Sequence, residues 1–109
     1  MAGAMPYSAD APARADVDAM AGAVALEFGT DWCGHCQGAQ SVLQPELAAR
    51  PDVKHLRIED GPGRPLGRSF KVKVWPTLVL LRDGGEVARV VRPTTREAVA
   101  EALGAFGDD

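Results

Sequence analysis

Two short runs of almost unbroken apolar residues organise the chain. Residues 23–28 put Val24, Leu26 and Phe28 on one face and Ala25 on the other, and Thr77–Arg82 runs through Leu78, Val79, Leu80 and Leu81. Runs this short and this apolar predict strands covered on both faces. Residues 53–58 behave differently, alternating Val53, His55 and Arg57 against Lys54, Leu56 and Ile58. That spacing predicts a strand nearer a sheet edge.

Elsewhere the period lengthens to that of a helix. Residues 34–50 carry Ala39, Val42, Leu43 and Leu47 as one stripe, with Pro45 inside the segment, where it should kink the helix. Ala-rich residues 11–21 predict a first helix, and a short helix should follow Asp60, Gly61, Pro62 and Gly63 and end near Phe70. Asp83, Gly84 and Gly85 signal a hairpin returning along residues 86–91. Thr94 and Glu97 have capping-box spacing ahead of a last helix that buries Val99, Leu103 and Phe106. Residues 1–10 lack any period and are expected to form a flexible tail before a domain over 11–109. The order α, β, α, β, α, β-hairpin, α predicts an α/β fold, a central mixed sheet with helices on both faces.

Composition narrows the function. A chain of 109 residues with 46% apolar content is one domain able to build a core without covalent staples. Its net charge of −3 and pI near 5.3 leave no basic footprint for nucleic acid. The longest apolar run is far too short for a membrane span. No basic residue precedes the short apolar start at Met1, so no signal peptide is recognised and a cytoplasmic location is expected.

The chemistry concentrates in Trp32, Cys33, Gly34, His35 and Cys36, whose two cysteines are the only ones in the chain. Thiols two residues apart can close a small disulfide ring. With a helix starting inside the motif, the first sulfur lies among outward-pointing amides that stabilise a thiolate. Cys33 then attacks, and Cys36, one turn further in, resolves the mixed disulfide. A structural disulfide, half of a zinc site or an idle pair are the alternatives. Zinc would need His35 and His55 as well, and His35 lies between the cysteines where it can hardly face the same ion, so no metal is expected.

This motif, together with Trp75, Pro76 and Thr77 and the hairpin at Asp83, resembles the thioredoxin family over residues 23–106. The resemblance implies the thioredoxin fold and a thiol-disulfide oxidoreductase that reduces protein disulfides through Cys33 and Cys36. No cofactor is then needed, because the Cys33–Cys36 disulfide is itself the redox centre. Disulfide-containing clients and a thioredoxin reductase are the implied partners, and a monomer is expected. Gly34 and His35 fill the variable pair as in protein disulfide isomerases. A protonated His35 would favour the Cys33 thiolate and give a less reducing couple than a Gly-Pro pair, whereas an exposed, neutral His35 would change little.

The resemblance also assigns a cis bond to Trp75–Pro76, which leaves the backbone of residue 75 free to pair with a client strand; an ordinary trans proline is the alternative. Trp32 and Trp75 form a docking surface or are core aromatics. Thr77 and Arg92 join the client-binding rim, with Arg92 in place of the family's glycine, narrowing the range of partners or selecting acidic ones. Glu27, an acid inside an apolar strand, matches the family's buried carboxylate that takes the proton of the resolving thiol. Burial should raise its pKa towards neutrality unless it sits at a solvated strand end. His55 either pairs with Glu27 or lies on the surface. Two rivals stay open: a disulfide isomerase or oxidase in an oxidising compartment, and a redox-gated binding or chaperone module without turnover.

Overall fold

Strand β1, Ala23–Gly29, lies inside a four-stranded sheet of order β2-β1-β3-β4 in the computed structural model, which describes residues 6–107. β2 (Lys54–Glu59) runs parallel to β1, while β3 (Thr77–Arg82) and β4 (Gly85–Val91) are antiparallel to their neighbours. The two apolar runs thus become the two interior strands and the alternating segment becomes an edge. This is the mixed sheet expected from the pattern.

Side-chain alternation sorts the core into two layers. Val24, Leu26, Phe28, Val79 and Leu81 pack with Val17 of helix α1 (Arg14–Asp18) and Leu66 of helix α3 (Pro65–Ser69). Ala25, Leu78 and Leu80 face Ala39, Leu43 and Leu47 of helix α2 (Gly34–Ala48) and Val99 and Leu103 of helix α4 (Arg96–Leu103). A period of two places Glu27 on the same side as Ala25, beneath α2. The parallel register sets Ala25 opposite His55 and Glu27 opposite Arg57, so two basic side chains of the edge strand join it there.

Several local details differ from expectation. α1 spans only five residues instead of 11–21, because Ala13 supplies no side-chain cap and Pro12 closes off the chain before it. α2 runs through Pro45 as expected and ends at Ala48, two residues short of the expected Arg50. α4 is capped by Thr95, one residue beyond the expected Thr94: its hydroxyl accepts from the Ala98 amide at 3.1 Å, and Glu97 falls in the first turn. The hairpin matches its chemistry, with Asp83 at φ 51° and Gly84 at φ 85°, both left-handed as a two-residue primed turn requires.

The N-terminal segment departs furthest. Residues 1–5 lie outside the described region, but Tyr7 and Ser8, expected in a flexible tail, are docked. Ser8 bridges to Ile58 on the outer edge of β2, its amide donating to the Arg57 carbonyl at 2.9 Å. Tyr7 is buried, and its amide donates to Asp31 Oδ1 at 3.0 Å. Pairing the exposed edge of β2 explains why an aperiodic stretch is fixed in place.

Candidate functional site: a dithiol at the end of an interior strand

Both cysteines sit where β1 ends and α2 begins. Cys33 is the N-cap of the 15-residue α2, with extended backbone, and its sulfur accepts a hydrogen bond from the Cys36 amide at 3.2 Å. An unsatisfied helix amide is thereby matched to an atom that can carry negative charge. Both thiols are free and both are buried, Cys33 at 8% exposure and Cys36 at 1%. Burial pushes the Cys36 thiol up to about 12, and its contact with Cys33 adds to this, so Cys36 holds its proton at neutral pH.

Trp75–Pro76 is a cis peptide bond, and the pair lies beside the cysteines: Tyr7, Cys33 and Cys36 form one apolar cluster with Trp75 packed against it. Trp32 is 74% exposed and meets the Trp75 ring edge-on at a centroid distance of 5.6 Å. Trp75 is half-buried and anchored by its indole N–H, which donates to Asp60 Oδ2 at 2.8 Å. Trp32 is therefore a surface ring and Trp75 its fixed backing. Gly34 and His35 are both exposed at the start of α2.

Two expectations for the rim need correcting. Thr77 is buried at 1% exposure and its hydroxyl donates to the Val74 carbonyl at 2.6 Å, closing the turn that leads into the cis bond. It therefore shapes the rim from below and offers no surface to a client. The carbonyl of residue 75 already has a partner: Arg92 Nε donates to it at 2.8 Å, and the Arg92 amide donates to the Pro76 carbonyl at 2.9 Å. Arg92 holds a left-handed φ of 47°. Its guanidinium folds back over the Trp75 carbonyl.

Glu27 lies fully buried below the dithiol, with several donors converging on it. The Tyr7 hydroxyl donates to Oε2, and Gln40 Nε2 donates to the same oxygen at 3.0 Å. His55 Nε2 lies 2.9 Å from Oε1, and Arg57 reaches both oxygens at 3.2–3.3 Å. Burial alone would raise the carboxyl pKa. The hydrogen bonds from His55, Tyr7 and Gln40 and the Arg57 charge outweigh it and bring the pKa down to about 2. The expected rise towards neutrality is therefore reversed, because the carboxylate is buried but not unpaired. At pH 7 Glu27 is a fixed anion and a weak proton acceptor. The possible Glu27–His55 pair is formed.

Three members of this cluster escaped sequence reasoning. Arg57 was legible from its parity with His55 on the edge strand, and Gln40 from standing one turn after Cys36. Tyr7 had only one signal, an isolated aromatic in an otherwise small-residue tail. Its ring lies beneath the Arg57 guanidinium, 4.1 Å from the centroid. Among the described residues no group of three or more His, Cys, Asp or Glu side chains could hold a metal ion, and no helix is long and apolar enough to cross a membrane.

Comparison with known proteins places these features in a family. The family model for thioredoxin matches residues 8–105. The chain is similar to the solved thioredoxin 2 of Pseudomonas aeruginosa PAO1 in its reduced form, at 58% identity over 94% of both chains with a TM-score of 0.85. It is 35% identical over 82 residues to a thioredoxin of Chlamydia pneumoniae, covering 75% of this chain and 80% of that protein. It is 38% identical over 91 residues to protein disulfide-isomerase A2 of Pongo abelii, where it covers 74% of this chain but spans only 17% of the much longer relative. With its dithiol at the head of α2 and its cis-proline alongside, the chain belongs to the thioredoxin family of thiol-disulfide oxidoreductases.

Proposed function

We propose that the chain reduces disulfides in client proteins, with Cys33 as the entering nucleophile and Cys36 as the resolving thiol. The observation that carries this is the placement of Cys33 Sγ as the cap of α2, 3.2 Å from the Cys36 amide, with Cys36 buried one turn further in. The Cys33 thiolate attacks one client sulfur, the client disulfide breaks, and the other client sulfur leaves and takes a proton. Cys36 then attacks Cys33, the Cys33–client bond breaks, and the second client thiol departs with the proton that Cys36 gives up. Two electrons pass from the dithiol to the client, and the redox centre is the cysteine pair itself. Glu27 serves this cycle as an anchor for Tyr7, Gln40, His55 and Arg57, in keeping with its low pKa.

Clients would lie along the Trp32–Trp75 surface and the cis-Pro76 backbone, displacing Arg92 from the Trp75 carbonyl. An NADPH-linked thioredoxin reductase is the proposed electron donor, by resemblance. A reductive role fits the cytoplasm, where thiol pools keep cysteines reduced, and a monomer suffices for it. The test is insulin reduction with dithiothreitol: the wild-type protein should accelerate precipitation and Cys33→Ser should not. Acceleration by Cys33→Ser equal to wild type would contradict the assignment.

An oxidising or isomerising role is favoured by one feature, the Gly34–His35 pair. His35 is exposed at the helix start, where a protonated ring would favour the reduced, thiolate form. His35→Pro should therefore shift the reduction potential to more negative values, with roughly 30 mV corresponding to about 1.4 kcal/mol. Equilibration of both proteins with glutathione buffers measures this. An unchanged potential would mean that His35 does not set the direction of flow.

A further inference from the structure

Tyr7 brings a buried hydroxyl to the resolving half of the dithiol, and the exchange steps above do not use it. The hydroxyl shares a small space with Cys36. A methyl group built on Gly29 would lie 2.6 Å from Cys36 Sγ and 2.9 Å from the Tyr7 oxygen, so both atoms crowd the same point above the end of β1. Tyr7, Cys33 and Cys36 form one buried cluster. Tyr7 and Cys36 also line a common opening of about 250 Å³ together with Thr30, Asp31, Gln37, Gln40 and Arg57.

We propose that Tyr7 is a positioning residue for the second exchange step, its hydroxyl turning from Glu27 to Cys36 Sγ as that sulfur takes on negative charge. The inference rests on the dithiol exchange proposed above and concerns only its resolving half. Glu27 can release this donor without being stranded. Gln40 still donates to Oε2 at 3.0 Å, His55 lies 2.9 Å from Oε1, and Arg57 reaches both oxygens. An ionised carboxylate has about four acceptor positions, and these groups continue to fill them. Gln40 also holds the pivot, its amide lying 3.4 Å from the Tyr7 oxygen and 2.8 Å from the Cys36 carbonyl.

The hydroxyl acts as a donor and keeps its own proton. Burial and the neighbouring Glu27 charge raise the Tyr7 pKa far above neutrality, so it does not ionise. The buried Cys36 thiol is correspondingly reluctant to lose its proton, and a donor that meets the emerging thiolate offsets part of that cost. In the step itself Cys36 gives up its proton, which passes to the departing client sulfur, and its own sulfur bonds to Cys33. The bond from Cys33 to the client breaks. Tyr7 is unchanged at the end.

Stopped-flow reaction of the reduced protein with 5,5′-dithiobis(2-nitrobenzoate) separates the two halves. The first thiolate released reports attack by Cys33, and the second reports resolution by Cys36. Tyr7→Phe should lower the ratio of the second rate to the first roughly ten-fold, equivalent to about 1.4 kcal/mol. Tyr7 is the only tyrosine in the chain, so growth on 3-fluorotyrosine places a more acidic hydroxyl at this position alone. The fluorinated protein should speed the second release and leave the first unchanged, a shift that a purely space-filling ring would not produce. An unchanged ratio in folded Tyr7→Phe, or a second release indifferent to fluorination, overturns the proposal. Loss of the first release in the wild-type protein would instead remove the exchange chemistry on which it rests.

Discussion

Arg92 Nε and the Trp75 carbonyl are 2.8 Å apart, so a side chain from beyond β4 donates to the backbone carbonyl just before the cis-proline. On the proposed docking mode, a client strand pairing at this carbonyl would compete with the charged Arg92 donor, at a cost of roughly 1–2 kcal/mol of docking energy. Arg92→Gly removes that competitor, and glycine suits the left-handed φ of 47°. The KM for an uncharged disulfide peptide should fall about five-fold while kcat stays within about two-fold, because the sulfurs are untouched. Steady-state kinetics on wild type and variant decide it: a KM that rises or stays level means that Arg92 does not guard the groove.

The Glu27 cluster predicts how stability changes with acid. The folded-state pKa of about 2 lies below the ordinary 4.5, so the stabilisation is fully present above about pH 5 and is lost as pH falls towards 2. The loss should be on the order of a few kcal/mol. Glu27→Gln should remove most of this acid dependence. At pH 7 it should cost about 3–5 kcal/mol, because the Arg57 charge, half-buried in the same cluster, loses its partner. Urea midpoints at pH 7 and pH 3 for both proteins provide the check, and equal acid sensitivity would show that Glu27 is not held ionised.

Gly29 ends β1 where Cys36 and the Tyr7 ring close over it, at 2.6 and 2.8 Å from any added methyl. Neither neighbour can move away cheaply: the sulfur belongs to the first turn of α2, and the buried Tyr7 ring is held by its own backbone amide on Asp31. Gly29→Ala should destabilise the reduced protein by about 1–3 kcal/mol through overpacking. Thermal unfolding measures this, and an unchanged midpoint would mean that the space above Gly29 is larger than the structure shows.

The sheet was legible because its interior strands are short apolar runs and its edge strand alternates, two patterns that depend only on which faces are covered. The dithiol was legible for a similar reason, since its chemistry follows from spacing within a single turn. Tyr7 was not, because its position depends on pairing with the far edge of β2 and on acceptors 20 residues or more away in sequence. The direction of the Glu27 shift failed for the same cause. Burial can be inferred from an apolar strand, but the convergence of Tyr7, Gln40, His55 and Arg57 needs the register of β1 with β2 and the facing turn of α2. The Arg92 contact likewise depends on a backbone turn that no local pattern announces.

The division of labour between the two sulfurs is tested most directly by trapping. Cys36→Ser, incubated with a disulfide-bonded protein client and analysed by mass spectrometry without reductant, should accumulate one mixed disulfide, mapped to Cys33. Cys33→Ser under the same conditions should accumulate none. A covalent adduct through Cys36, or no adduct in either variant while the wild-type protein still reduces the client, would contradict the account.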